Sequence, residues 1–163
     1  MTGSRHMVRM AEQVVSANRD DVLVSLGLGS CIGLALVDDA VGVAGLVHIV
    51  LPQAPAAGAG AASAKFADTA VPSLIDAVTR AGARAARLRA VLCGGAHMFG
   101  NTGASPVMQI GARNAEATMD ALNAARISVR GKDTGGSSGR SIEVHVANGD
   151  VLVRGVGQQA RKL

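Results

Sequence analysis

The sequence predicts an α+β protein: a layered sandwich of mainly antiparallel or mixed β-sheets flanked by about two helices. Three observations carry this expectation. Short runs of branched apolar residues recur over 22–26, 31–37, 41–51, 90–93 and 127–130, bounded by Gly, Asp or Ser. Only two stretches keep a helical spacing of apolar residues. The C-terminal part reads as a hairpin, with Ile142–Val146 and Val151–Val153 joined through Asn148-Gly149.

The elements follow in order. Residues 1–7 are set outside the fold, as an appended expression remnant or a disordered leader. Val22 to Leu26 is a buried strand, followed by the glycine-rich turn Gly27 to Ser30. Cys31–Val37 and Val41–Leu51 are two more strands, joined by a tight turn at Asp38-Asp39-Ala40. The Pro-, Ala-, Gly- and Ser-rich stretch 53–64 is a flexible loop that borders the strand carrying His48. Val71, Leu74, Ile75 and Val78 give the i, i+3, i+4, i+7 stripe of an amphipathic helix. That helix starts near Asp68 or Thr69, keeps Pro72 in its first turn and ends at Gly82. A second helix spans about Arg113 to Ala125, with Ala115, Met119 and Leu122 inward. Residues 132–140 form a polar loop. The 163 residues suit a single domain over 1–163 with one hydrophobic core.

Composition excludes several functions. Phe66 and Phe99 are the only aromatic residues, so the core is built from Val, Leu, Ile, Met and Ala. A base-stacking platform for single-stranded nucleic acid needs more aromatic faces than that. The net charge is +4, and much of the excess sits near the ends in Arg5, Arg9, Arg154, Arg161 and Lys162. No run of five or six like charges marks a nucleic-acid tail. This mildly basic surface is either simply solvated or steers an acidic protein partner. The longest apolar run, Val41 to Leu51, is 11 residues long and contains His48, too short to enter and cross a bilayer. Two cysteines, Cys31 and Cys93, show no disulfide-scaffold or Cys-x-x-Cys spacing, and no signal peptide is visible. A cytoplasmic location is expected.

Cys31 is the candidate nucleophile. Cysteine chemistry needs a thiolate and a nearby base. A two-residue turn at Asp39-Ala40 places Cys31 directly opposite His48, on one face of the sheet. A one-residue slip would put them on opposite faces. Gly27 and Gly29 permit a tight turn, so that backbone N–H groups around Gly29, Ser30 and Cys31 face a developing oxyanion. If the chain folds back through Gly27-Leu28-Gly29, the Ser25 hydroxyl returns to orient His48 as a third member. Gly-x-Gly here lacks the following helix and third glycine of a dinucleotide fingerprint. Cys93 reads as structural. A metal site drawing on Cys31, His48, Cys93 and His97 does not match a standard zinc spacing, and a cysteine–histidine mechanism itself calls for neither metal nor organic cofactor.

These residues resemble a known family. Leu26-Gly-Leu-Gly-Ser-Cys31, followed by His48 in Val47-His-Ile-Val-Leu-Pro52, is similar to the chemoreceptor glutamine deamidases, the CheD family. The resemblance continues through Lys65-Phe-Ala-Asp-Thr-Ala-Val71, Gly94-Gly-Ala-His-Met-Phe99 and Ile110-Gly-Ala-Arg-Asn114. It extends to Asp133-Thr-Gly-Gly136, Gly139-Arg-Ser141 and Leu152-Val-Arg154. The blocks stand in family order and cover nearly all of residues 20–156. The resemblance implies hydrolysis of particular glutamine side chains on the cytoplasmic helices of chemoreceptors (methyl-accepting chemotaxis proteins), leaving glutamate and ammonia. It assigns Cys31 as nucleophile, His48 as base, and Ser25 where the family usually has threonine. Some members bind the phosphatase CheC, which leaves a rival reading: a non-catalytic chemotaxis module acting through a CheC-like partner. A thiol peptidase is a further rival. Phe99 and Met98 are either receptor contacts or core. Asp133, Thr134 and Gly135 lie at a strand end suited to substrate or partner contact. Arg113, Asn114 and Arg140 either hold these loops or meet acidic receptor side chains.

Overall fold

Seven consecutive residues from Ile32 to Asp38 are all buried, which requires that this strand be covered on both faces. The computed structural model, which describes residues 2–56, 60–98 and 109–163, supplies both covers. Its strands are β1 (Arg5–Met7), β2 (Gln13–Ser16), β3 (Val22–Leu28), β4 (Ile32–Asp38), β5 (Val43–Ile49), β6 (Arg89–Gly94), β7 (Ser128–Thr134), β8 (Arg140–His145), β9 (Asp150–Gly155) and β10 (Arg161–Lys162). Its helices are α1 (Ala67–Arg80) and α2 (Ile110–Ala124). One five-stranded sheet has the order β1-β3-β8-β9-β10 and the other β2-β5-β4-β6-β7. Pairing is antiparallel except for β1 with β3 and β6 with β7.

The strand period of two sorts the core into two layers. Ile32, Leu34 and Leu36 of β4, with Val43, Val47 and Ile49 of β5, pack against Val71, Leu74 and Val78 of α1 and Leu122 of α2. The alternate residues Ala35, Val37, Ala44 and Leu46 face the other sheet and meet Leu23, Leu28, Ile142 and Val144. Each fully buried Leu or Ile stabilises the fold by roughly 1.5–3 kcal/mol, so both interfaces are held firmly. The layers are sheet, sheet and helices, an α+β sandwich as expected.

Several local expectations change. The β4–β5 connection is a four-residue turn, because Asp38 pairs with Val43. Gly33, not Cys31, therefore stands opposite His48. Residues 5–7, set aside in the sequence, form β1 and pair in parallel with Val22–Val24. Gln13–Ser16 forms an edge strand that the sequence did not reveal. The stretch 53–64 gives way to a 3-10 turn at Gly60–Lys65, and residues 57–59 lie outside those described. α1 starts at Ala67 with Phe66 as its N-cap and no side-chain cap, so Pro72 sits in its second turn. There proline removes the N–H that would bond the Asp68 carbonyl. Among the described residues no helix is long and apolar enough to cross a membrane.

Candidate functional site

The site lies between the two sheets, at the end of β4 where the chain crosses from one to the other. His48 directs its N–H to the Glu12 carbonyl (3.1 Å), and its own carbonyl accepts from the Ala11 N–H (2.9 Å). Both backbone groups thus point to the β2 side. Its pairing with Gly33 is therefore of the non-hydrogen-bonded kind, with Cα atoms about 4.5 Å apart. Cys31 is two residues before Gly33 and shares its face, so it is the diagonal neighbour of His48 at about 7–8 Å. A register displaced by two keeps the side chains on one face, whereas a displacement of one would have parted them. The half-buried Cys31 packs against the core between the sheets, which is the side that His48 also faces.

Ser25 reaches the same place from the opposite sheet. Its Oγ lies 2.8 Å from Nδ1 of His48 and donates to the Val8 carbonyl at 2.7 Å. A hydroxyl has one proton. With that proton on Val8, Ser25 accepts from His48 Nδ1–H, and Nε2 carries the lone pair. Nε2 is buried and has no hydrogen-bond partner among the described residues. Just past Ser25, β3 carries a bulge: Ser25 pairs with Ile142 and Leu28 with Arg140, so β3 has one extra residue. Gly27 adopts φ +65°, a left-handed conformation open to glycine. The bulge exposes Leu26 while returning Leu28 to the core.

Burial acts on both reactive groups. It pushes the Cys31 thiol above its ordinary value. It lowers the His48 imidazole, opposed by the Val8 carbonyl and the Glu12 charge. Each shift favours the neutral form. The resting pair is a thiol and a neutral imidazole. Cys93 is buried, and desolvation pushes its thiol up to about 12, in keeping with the structural reading.

The turn before Cys31 is braced from β6. Gly95 N–H donates to the Cys31 carbonyl at 2.9 Å and Ala96 N–H to the Gly29 carbonyl at 2.8 Å. Gly94 has φ +113°, and a Cβ there would stand 2.1 Å from the Cys31 carbonyl oxygen. Asn114 of α2, fully buried, donates from Nδ2 to the carbonyls of Ser30 and Val50, each at 2.9 Å. Of the two readings left open, Asn114 thus holds the loops, while Arg113 is exposed on α2.

The other candidates sit further out. Asp133 accepts from Arg140 Nη1 at 3.0 Å and from Arg161 at 2.5 Å. Arg140 also donates to the carbonyls of Asp133, Gly135 and Ser138, so it too holds its loop. Asp133, Thr134 and Gly135 line a polar surface pocket of about 270 Å³ with Arg140 and Arg161. Gly135 N–H donates to the Gly94 carbonyl at 3.0 Å, which places this loop beside the strand end bracing Cys31. Met98 is half-exposed and lies over Gly29, where a Cβ would meet its Cγ at 3.3 Å. Phe99 lies outside the described residues. Sequence reasoning missed the Val8 carbonyl, and no side-chain signal could have revealed a backbone acceptor. It also missed Glu12, whose backbone carbonyl fixes the His48 N–H. No group of three or more His, Cys, Asp or Glu able to hold a metal occurs among the described residues.

Fold and site together define a two-sheet α+β protein with a buried serine–histidine pair beside a half-buried cysteine. A family model described as CheD chemotactic sensory transduction matches residues 50–155. A probable chemoreceptor glutamine deamidase CheD of Symbiobacterium thermophilum is 41% identical over 157 residues, 96% of this chain and 95% of its own. A protein of the same description from Desulfitobacterium hafniense is 45% identical over 134 residues, 82% and 83% of the two chains. One from Lachnoclostridium phytofermentans is 36% identical over 161 residues, 99% of each. The chain belongs to the CheD family.

Proposed function

We propose that the protein is a protein-glutamine deamidase. It converts particular glutamine side chains on the cytoplasmic helices of chemoreceptors to glutamate, releasing ammonia. The observation that carries this reading is the Ser25–His48 pair, which leaves Nε2 unprotonated and, among the described residues, without a partner, on the face shared with Cys31. The names of the relatives support the substrate.

The mechanism follows from the proton positions. His48 Nε2 takes the Cys31 proton, and the thiolate attacks the carboxamide carbon. Backbone N–H groups of the Gly29–Cys31 turn receive the oxyanion. The imidazolium protonates the departing nitrogen, so ammonia leaves and a thioester remains. Water, deprotonated by His48, attacks the thioester, and glutamate and the thiol are released. Ser25 holds the ring by accepting from Nδ1–H, the part a carboxylate or amide plays in other triads. The chain needs no metal for these steps. The site of action is the cytoplasm, where the receptor helices lie.

A second reading rests on one observation: no hydrogen bond joins His48 Nε2 to Cys31 at rest. On that reading the chain is a binding module that acts through a CheC-like partner. Incubation with a receptor cytoplasmic fragment separates the two. The deamidase releases one ammonia per converted glutamine and leaves the backbone intact. Unchanged glutamine with retained binding supports the module, and backbone cleavage points to a peptidase.

A further inference from the structure

Three consecutive carbonyls of the nucleophile turn are each held by a donor from another element. Gly29 accepts from Ala96 N–H, Ser30 from Asn114 Nδ2, and Cys31 from Gly95 N–H, at 2.8, 2.9 and 2.9 Å. The described chain contains no cis peptide bond. In a planar trans peptide the N–H points opposite the C=O, so fixing one fixes the other. The Gly29 and Ser30 carbonyls therefore aim the N–H groups of Ser30 and Cys31 away from Ala96 and Asn114. Among the described residues, neither N–H donates to an acceptor. The reason at Cys31 is local. The β4–β6 ladder ends in a half-made pair, because Gly95 turns left-handed at φ +65° and does not return its carbonyl to the Cys31 N–H.

We infer that Asn114 is a positioning residue that locks the Ser30–Cys31 peptide, so that the Cys31 N–H stands ready for the oxyanion. This rests on the reading of Cys31 as nucleophile. Its two acceptors are both carbonyls, which fixes the orientation of the amide: the flipped form would set Oδ1 against two oxygens. The second acceptor, Val50, follows His48 by two residues, so one side chain ties the strand of the base to the turn of the nucleophile. Oδ1 is left buried without a partner among the described residues. Donors fixed before the reaction need no reorganisation when charge develops, which is where this lock acts.

The test compares two rates at the same thiol in Asn114→Ala and Asn114→Asp. Deamidation of a receptor fragment builds an oxyanion, whereas alkylation of Cys31 by iodoacetamide attacks a saturated carbon and builds none. The expected result is a fall in kcat of about 10–100-fold, with KM and the alkylation rate within about twofold of the unmutated protein. A kcat within about twofold of the unmutated protein overturns the inference. So does an alkylation rate that falls in parallel with kcat, since Asn114 would then place the thiol or the fold. Should neither variant fold, the unmutated protein decides. A peptide carrying glutamate γ-semialdehyde in place of glutamine forms a hemithioacetal on Cys31, and the Ser30 and Cys31 amide protons then move downfield. Unmoved amides on a formed adduct overturn the lock alone. Absence of any adduct counts against Cys31 as nucleophile.

Discussion

The Ser25 hydroxyl and Nδ1 of His48 stand 2.8 Å apart, each on a different one of two facing sheets. The contact joins the layers and fixes the imidazole tautomer together. Ser25→Ala leaves Nδ1–H without its acceptor. It is expected to lower kcat about 10–100-fold and to cost about 1–3 kcal/mol of stability. Ser25→Thr keeps the hydroxyl and adds the methyl that restricts its rotamer, so it holds or raises kcat. Steady-state ammonia release and thermal melts check both variants. Equal activity in the alanine and threonine variants contradicts the orienting role.

The pH profile follows from burial. In the proposed mechanism His48 must be neutral to take the thiol proton, and burial lowers its folded-state pKa below the ordinary 6.5. Deamidation is expected to rise with pH through a midpoint under 6.5 and then stay level to about pH 8, because the Cys31 thiol is raised and remains protonated. Stability follows the same sign. A depressed folded-state pKa contributes stability that is complete above 6.5 and is lost as pH falls through the lowered value. Melts at pH 7 and pH 5 show this loss, and His48→Asn diminishes it.

Gly94 is held by two separate constraints, its φ of +113° and the 2.1 Å that a Cβ would leave to the Cys31 carbonyl. Gly94→Ala is expected to cost at least about 2–3 kcal/mol. It is also expected to displace the Cys31 turn, with loss of activity in whatever fraction folds. Denaturant unfolding measures the first effect and ammonia release the second.

The two helices end alike but with different residues. In α1, Gly82 is left-handed and Ala83 N–H reaches back to the Val78 carbonyl at 3.0 Å. In α2 the same closure runs from Ile127 N–H to Leu122 at 3.0 Å, but Arg126 takes the left-handed position with φ +58°. Arg126→Gly removes that penalty and is expected to stabilise the fold by about 1 kcal/mol, read as a higher Tm with unchanged activity.

Much of this was legible in the sequence because apolar periodicity is a strong signal over long strands. β3 to β6 and both helices sit within a few residues of their expected places. The Cys31–His48 register was misplaced by two residues, since the turn has four residues instead of two. The relationship survived because strand faces repeat with period two. β2 was hidden because a half-buried edge strand of four residues carries too little pattern. The Val8 carbonyl and the left-handed Gly95 were hidden because backbone direction leaves little trace in residue type. Ser25 was legible as a hydroxyl near the turn, but its approach from the opposite sheet was not.

The central claim is that Cys31 is the nucleophile of a glutamine deamidation. Residue-resolved mass spectrometry of a receptor cytoplasmic fragment tests it most directly, with the unmutated protein and Cys31→Ala compared side by side. The expected result is a gain of about one mass unit at specific glutamines with the unmutated protein and none with the variant. The same gain produced by Cys31→Ala would contradict it.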